Sequence, residues 1–291
     1  MTATDAGLRF YAVWTLGWIG PDAAEAAPAL IRTLADADDN VRRKAAYSLG
    51  RVASPSQPGE AIPVLMKAFE DKNDDVRQAA ADAVANFGGK AVRPLIGVVE
   101  SSTPVARLAA IAALGKIGGD AKDAIPVLKA FLLGSEGHPN LVADALGKIG
   151  KASIPVLLEG VDSGKTTLRE HCISALGHIG ADAASALVDL LGHKSVEVRR
   201  AAAGTLTPLR IGDKMVVLGL AYASHDPDTQ VRHHAFQALQ ALGISAKLAA
   251  PKLNDLLVDA DPNLRQQAFN LLRSIGEDPL PGLKKRSEER V

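Results

Sequence analysis

The chain has 291 residues, and its 33 Lys and Arg are balanced by 33 Asp and Glu, so no whole-chain field favours nucleic acid or an anionic membrane surface. Hydrophobic residues at 47% against 23% charged exclude general disorder, and a lone cysteine, Cys172, excludes an intramolecular disulfide framework and a cysteine-cluster metal site. The longest apolar run, Met215–Ala223, falls short of the roughly 18 residues that a membrane span needs.

From the N-terminus onward, one unit recurs. It opens on an aliphatic residue and an arginine: Leu8-Arg9, Val41-Arg42, Val76-Arg77, Leu168-Arg169, Val198-Arg199, Val231-Arg232 and Leu264-Arg265. Degenerate copies open at Ala106-Arg107 and His138-Pro139, and the nine starts lie 30 to 35 residues apart. With each start numbered slot one, slot nine reads Leu16, Leu49, Val84, Leu114, Leu146, Leu176, Leu206, Leu239 and Leu272. Slot twelve reads Ile19, Val52, Phe87, Ile117, Ile149, Ile179, Leu209, Leu242 and Ile275. Slot five is alanine in seven copies, with Val142 and Cys172 in the other two.

At 100° per residue, slots one, five, eight, nine and twelve share an arc of about 100°, which predicts the buried stripe of a helix. The small residues at slot five predict close approach by a neighbouring helix. Slot thirteen is glycine in seven copies (Gly20, Gly88, Gly118, Gly150, Gly180, Gly243 and Gly276), the residue that ends a helix with positive φ. Three residues before slot one stand the N-cap types Asp5, Asp38, Asn73, Thr103, Ser135, Ser195, Asp228 and Asp261, with Pro104 and Pro262 ready for the first helical position. Pro28, Pro63, Pro94, Pro126, Pro155 and Pro251 fall near the first turn of a second helix, where a missing N–H costs nothing. Each unit therefore reads as a helical hairpin. Hairpins of about 30 residues cannot hide such a stripe alone, so the units must stack. In repeat seven, Gly204, Thr207 and Pro208 fall inside the first helix, and a local change of curvature is expected there.

The pattern V-R-x-x-A-A-x-x-L-G-x-I-G followed by A-x-x-P-x-L-x-x-L resembles the HEAT-like repeat of the phycobilisome-lyase type over residues 5–276. The resemblance implies an all-α, right-handed α-solenoid of about nine repeats, starting near residues 5, 38, 73, 103, 135, 165, 195, 228 and 261. One array is expected over 1–282 with a polar tail at 283–291, where Lys284, Lys285 and Arg286 read as a solvated end. It also implies that slots three, four, seven and eleven, which point away from the buried stripe, line a concave binding surface.

Those slots begin with Phe10, Tyr11, Trp14 and Trp18, which include both tryptophans of the chain. Arg43, Lys44, Tyr47 and Arg51 follow, and later copies add Asp82, Lys116, Asp144, Lys148, Glu170, His171, His178, Arg200, His233 and His234. Six bases against three acids make the face mildly basic on a neutral chain. Aromatic and arginine side chains dominate binding hot spots. Trp14, Trp18, Arg43, Tyr47, Arg51, Lys116, Lys148, His178, Arg200 and His234 are accordingly the candidate partner-binding residues. The competing reading has Phe10, Trp14 and Trp18 covering an uncapped end of the array, which would point to a missing upstream segment or to end-to-end self-association. The slot-two arginines tempt a phosphate-ladder reading. A residue present in nearly every unit serves what every unit does, so they are expected to bond loop carboxylates and carbonyls across repeats.

Chemical motifs mostly fail on geometry. Gly164, Lys165 and Thr166 resemble the end of a phosphate loop, but Glu159 stands where its leading glycine belongs. The acidic runs at Asp36 and Asp259 start like calcium loops, yet Val41 and Leu264 occupy the glycine position; they read as helix caps. His171 and His178 are about 10 Å apart along one helix, too far to share a metal easily. HEAT-like deoxyhypusine hydroxylases carry His-Glu pairs for a di-iron centre, and here only the reversed Glu170-His171 occurs. Cys172 occupies a core slot. The apolar stretch after Arg9 matches the repeat slot for slot and reads as structure rather than a signal peptide. The leading reading is a non-catalytic scaffold binding a protein or peptide, without cofactor, metal or membrane span. Its alternatives are a nucleic-acid binder resembling the HEAT-like DNA glycosylases, disfavoured by the neutral charge, and a bilin-lyase-type role.

Overall fold

The computed structural model of the chain describes residues 4–53, 59–134, 138–279 and 281. Among them there is no strand, and the fold is an all-α solenoid of helical hairpins. The described residues fall into two compact units, Met1–Val156 and Leu157–Val291. The first contains α1 (Ala6–Ile19), α2 (Ala27–Thr33), α3 (Asp39–Val52), α4 (Ala61–Lys67), α5 (Asp74–Ala85), α6 (Gly89–Ser101), α7 (Pro104–Ile117), α8 (Ile125–Leu133) and α9 (Pro139–Ile149). The boundary lies within α10 (Ile154–Asp162). The second contains α11 (Thr166–Ile179), α12 (Ala184–Leu190), α13 (Val196–Leu209), α14 (Lys214–Ala223), α15 (Thr229–Leu242), α16 (Ala250–Leu256) and α17 (Pro262–Ser274).

Both units are two helices thick. In the first, α1, α3, α5, α7 and α9 pack in succession, with α2 against α4 and α6 against α8 behind them. In the second, α11, α13, α15 and α17 form the front layer and α12, α14 and α16 the back.

The local signals work as the sequence predicts. Asp5, Asp38, Asn73, Thr103, Ser195, Asp228 and Asp261 each cap a front helix with a side-chain oxygen that accepts backbone N–H groups of its first turn. Ser135 and the tail at 283–291 lie outside the described residues. All seven slot-thirteen glycines have positive φ, from 54° to 90°. Repeat seven puts Arg210 there instead, with φ 49°, the one non-glycine residue in that region among those described. Pro208 does not break α13, whose helix runs on to Leu209; the departure lies after it, where Arg210 leads into α14 capped by Asp213. Pro94 sits in the second turn of α6, later than expected, because Gly88 leads into that helix without the short 3₁₀ turn that other repeats insert.

From the second repeat on, slots five and nine are buried in every copy, and slot one in every copy but His138. Repeat one departs from this: Leu8 is 63% exposed and Ile19 50%, while Val13 and Gly17 are the buried residues of α1. The stripe exists in the sequence, but here its slots one and twelve stay open and Leu16 at slot nine is only half-buried.

Close approach also occurs at slot ten, a position that sequence reasoning did not single out for contact. Slot-ten glycines of one front helix abut slot eight of the next: a Cβ on Gly50 would stand 2.6 Å from the Ala83 Cα, and one on Gly115 2.9 Å from the Ala145 Cα. Gly17 faces Ser48 in the same way, and Ser48 Oγ donates to the Val13 carbonyl at 2.9 Å.

The slot-two arginines tie consecutive repeats. Arg42 donates from Nε and Nη2 to the Asp71 carboxylate at 2.7 and 2.9 Å, and from Nη1 to the Asp36 and Ala37 carbonyls at 2.9 and 3.1 Å. Arg9 makes the same fork to Asp36 at 2.7 and 2.8 Å, and Arg199 to Asp226 at 2.7 and 3.1 Å. Where the loop lacks the aspartate, carbonyls suffice: Arg107 donates to Val99 at 2.8 Å and Arg169 to Val161 at 3.2 Å. The hydrogen bond from Arg9 holds the Asp36 carboxyl below its ordinary value. For Asp71, burial would raise it, and the bonds from Arg42 and the Asn73 N–H more than reverse this. These guanidiniums are structural ties, not phosphate ligands.

Candidate functional site

Slots three, four, seven and eleven of the front helices carry the candidate residues, and the caps and glycine stops that fix each helix fix these side chains with it. In the first unit, α1 and α3 form an aromatic patch. Phe10 and Tyr11 meet edge-on at 5.7 Å between centroids, and Trp14 lies 6.3 Å from Phe10 and 5.9 Å from Tyr11. The Lys44 ammonium sits over three rings, 5.5 Å from Phe10, 5.7 Å from Trp14 and 4.9 Å from Tyr47. Arg51 approaches the Tyr47 ring at 5.8 Å and donates to its hydroxyl at 3.1 Å. Trp14 is 38% exposed, Tyr47 42% and Trp18 72%. Phe10, Trp14 and Tyr47 thus come together around Lys44, with Arg51 joined to the patch through Tyr47, while Trp18 stands out to solvent on the same helix as Trp14.

The remaining bases on this face of the first unit are paired within the chain. Arg43 reaches Asp75 at 3.4 Å and Asn40 at 3.1 Å. Lys116 pairs with Asp82, which also accepts from Gln78 at 2.8 Å, and Lys148 pairs with Asp144 at 2.7 Å. Burial, and then the neighbouring Lys148, push the Lys116 ammonium below its ordinary value. Gln78, Asp82, Lys116, Asp144 and Lys148 line a shallow polar groove across α5, α7 and α9.

In the second unit, Arg200 donates to the Asp228 carboxylate at 2.9 and 2.5 Å. That hydrogen bond, together with backbone donors of the α15 cap, holds the Asp228 carboxyl far below the usual range. His178 lies with Glu170 and Ser174 along an open groove of about 490 Å³ between α11 and α13, where Gly204 and Pro208 leave room on the α13 side. His234 faces Gly204 from α15, with its Nε2 3.7 Å from where a Cβ would be. His233 and His234 have ring centroids 5.8 Å apart and point into different surroundings.

Among the described residues, no group of three His, Cys, Asp or Glu side chains stands close enough to hold a metal ion. Cys172 is buried, and burial pushes its thiol up to about 12, so it is no nucleophile at neutral pH. No helix is long and apolar enough to cross a membrane among the described residues.

Sequence reasoning placed the ten candidates on one slot set but missed the pairing that separates them. Asp75 and Asp228 are the two carboxylates it passed over as partners of that face, Asp228 being read only as a cap. The signal was present in the period: Arg200 and Asp228 lie 28 residues apart, close to one repeat, as do the 27 between Arg9 and Asp36.

The family model for HEAT repeats matches residues 1–85, 62–141 and 134–207. Comparison with curated proteins returns no match. Among solved structures, Kap95p, in a study of its binding to RanGDP, aligns over 93% of this chain and 44% of its own, at 13% identity and a TM-score of 0.53. The complex of CpcE and CpcF of phycocyanin lyase from Nostoc sp. PCC7120 aligns over 86% of this chain and 94% of its own, at 22% identity and a TM-score of 0.39. An engineered protein aligns over 99% of this chain and 89% of its own, at 22% identity and a TM-score of 0.42.

Proposed function

This chain belongs to the HEAT-repeat family, and from that premise we propose that it is a non-catalytic scaffold that binds a protein or peptide along its front-helix face. The fold it shares with Kap95p, a structure concerned with binding RanGDP, is compatible with such use. The observation that carries the reading is the α1–α3 patch. There, Trp14, Trp18 and Tyr47 are exposed together on the face whose slots vary from repeat to repeat, while the residues common to all repeats are consumed in stacking. Rigid aromatic surface of that kind contributes contact area at little conformational cost. On the corresponding slots of later front helices, Lys116 and Lys148 in the first unit and His178, Arg200 and His234 in the second supply weaker polar contacts and set register rather than affinity.

The test is quantitative capture of interacting protein by the wild type, a Trp14→Ala/Trp18→Ala variant and a Tyr222→Ala variant. Tyr222 is a comparably exposed aromatic on the back-layer helix α14. The double variant is expected to lose its captured partner while keeping its helical signal, and Tyr222→Ala to retain it. Equal losses in both variants, or none in either, would refute the assignment to the front face.

A further inference from the structure

We infer that the α1–α3 patch docks an acidic segment of its protein partner, whose carboxylates meet Lys44 and Arg51 while an apolar residue lies against Trp18. The inference deepens the partner-binding reading and rests on it. Its basis is a division among the bases of this face. Arg43, Lys116, Lys148 and Arg200 each already hold a carboxylate of their own chain: Asp75, Asp82, Asp144 and Asp228. Lys44 and Arg51 differ. Among the described residues no carboxylate lies within ion-pair distance of either, and their recorded contacts are aromatic: three rings around the Lys44 ammonium, and the face and hydroxyl of Tyr47 for Arg51.

A ring face holds a cation in place without neutralising it. Both positive charges therefore stay available to an incoming anion. Their long side chains are already restrained, so less rotamer freedom is lost when a partner arrives. Tyr47 fixes the spacing, since it touches both cations from one turn of α3. A protein segment fits this better than a nucleic acid. A phosphate backbone would need free cations continuing along the face, and the next bases, Lys116 and Lys148, are already paired on a chain with no net charge.

The experiment is fluorescence anisotropy with a labelled glutamate-rich peptide bearing leucines, run beside a lysine-rich counterpart and a single-stranded oligonucleotide. The wild type is expected to bind the glutamate peptide, more weakly as salt is added, and to prefer it to both controls. Lys44→Ala and Arg51→Ala should each weaken binding about fivefold, the scale of one exposed ion pair. Lys116→Ala and Lys148→Ala should change it by less than about twofold, because those charges are already matched. Lys44→Met and Arg51→Met keep the apolar stems; the same loss in that series, with an unchanged melting curve, isolates charge from packing. The inference is overturned by no binding of the glutamate peptide, by equal binding of the lysine peptide, by tighter binding of the oligonucleotide, or by equal losses at Lys116 and Lys44. If the peptide fails while capture still depends on Trp14 and Trp18, the acidic-partner inference falls and the scaffold reading stands.

Discussion

In α3, the slot-one and slot-twelve residues Val41 and Val52 are fully buried, whereas in the neighbouring α1 the same slots hold Leu8 and Ile19, half or more of whose surface is open. The two helices share length, N-cap chemistry and repeat pattern. They differ in what lies beside them: α3 packs against the back helix α2 of the repeat before it, as α17 packs against α16, and among the described residues α1 packs mainly against α3 and the 3₁₀ turn that follows it. A repeat slot therefore sets the direction of a side chain, and the adjoining repeat decides whether that direction is core. The same logic separates structure from recognition. Residues that every repeat carries are spent on the neighbour, and those peculiar to one repeat are left for a partner.

The comparison can be sharpened at the slot-ten glycines of α1 and α3. Gly50→Ala pushes a methyl group against the backbone of Ala83, which cannot yield without moving α5, so a loss of about 3 kcal/mol is expected in urea unfolding. Gly17→Ala meets first the hydroxyl of Ser48, which can rotate away at the cost of its bond to Val13. It then meets the Ser48 Cβ at 3.0 Å and Cα at 3.2 Å, which must give by only a few tenths of an ångström, so a smaller loss of about 1 kcal/mol is expected. Equal losses would show that the α1–α3 and α3–α5 contacts are alike after all.

A smaller effect tests the ties between repeats. Asp36 and Asp71 have carboxyls held below their ordinary value of 3.8 by arginines of slot two. A depressed carboxyl stabilises the fold above that ordinary value, and its contribution disappears as pH falls through the lower, folded one. The share of stability these two carboxyls supply, read from melting temperature, should therefore be constant above about pH 5 and decline below about pH 4. That limb is separate from the loss expected to begin below pH 6.5 from His225, whose ring is held below its ordinary value of 6.5 by desolvation. Replacing Asp71 with asparagine should flatten part of that decline; a variant whose acid limb matches the wild type would sever the link to this pair.

Much of the fold was legible because its signals are local. Asp38 caps α3 and Gly118 ends α7 using atoms a few residues away, and nine copies of one pattern average out the noise of any single one. The stacking role of Arg42 was legible because a residue repeated in nearly every unit must serve the unit. What could not be read depended on neighbours. The open face of α1 looks identical to a buried one on a helical wheel. The glycine contact at slot ten went unread beside the more regular alanine at slot five, since only interhelical geometry shows that it meets the neighbouring backbone. At the candidate site, the slot set was visible, but the basic residues were indistinguishable until Lys116 was seen on Asp82 and Lys44 over three aromatic rings.

The most direct test compares thermal and urea unfolding of Val41→Ala and Leu8→Ala, which shorten an aliphatic side chain at the same slot of adjacent helices. Val41→Ala is expected to cost about 2 kcal/mol through the cavity it leaves, and Leu8→Ala less than about 0.5 kcal/mol. A loss at Leu8 as large as that at Val41 would mean that the outer face of α1 is covered in the folded protein, and would contradict the account of burial as something a repeat receives from the back helix of the repeat before it.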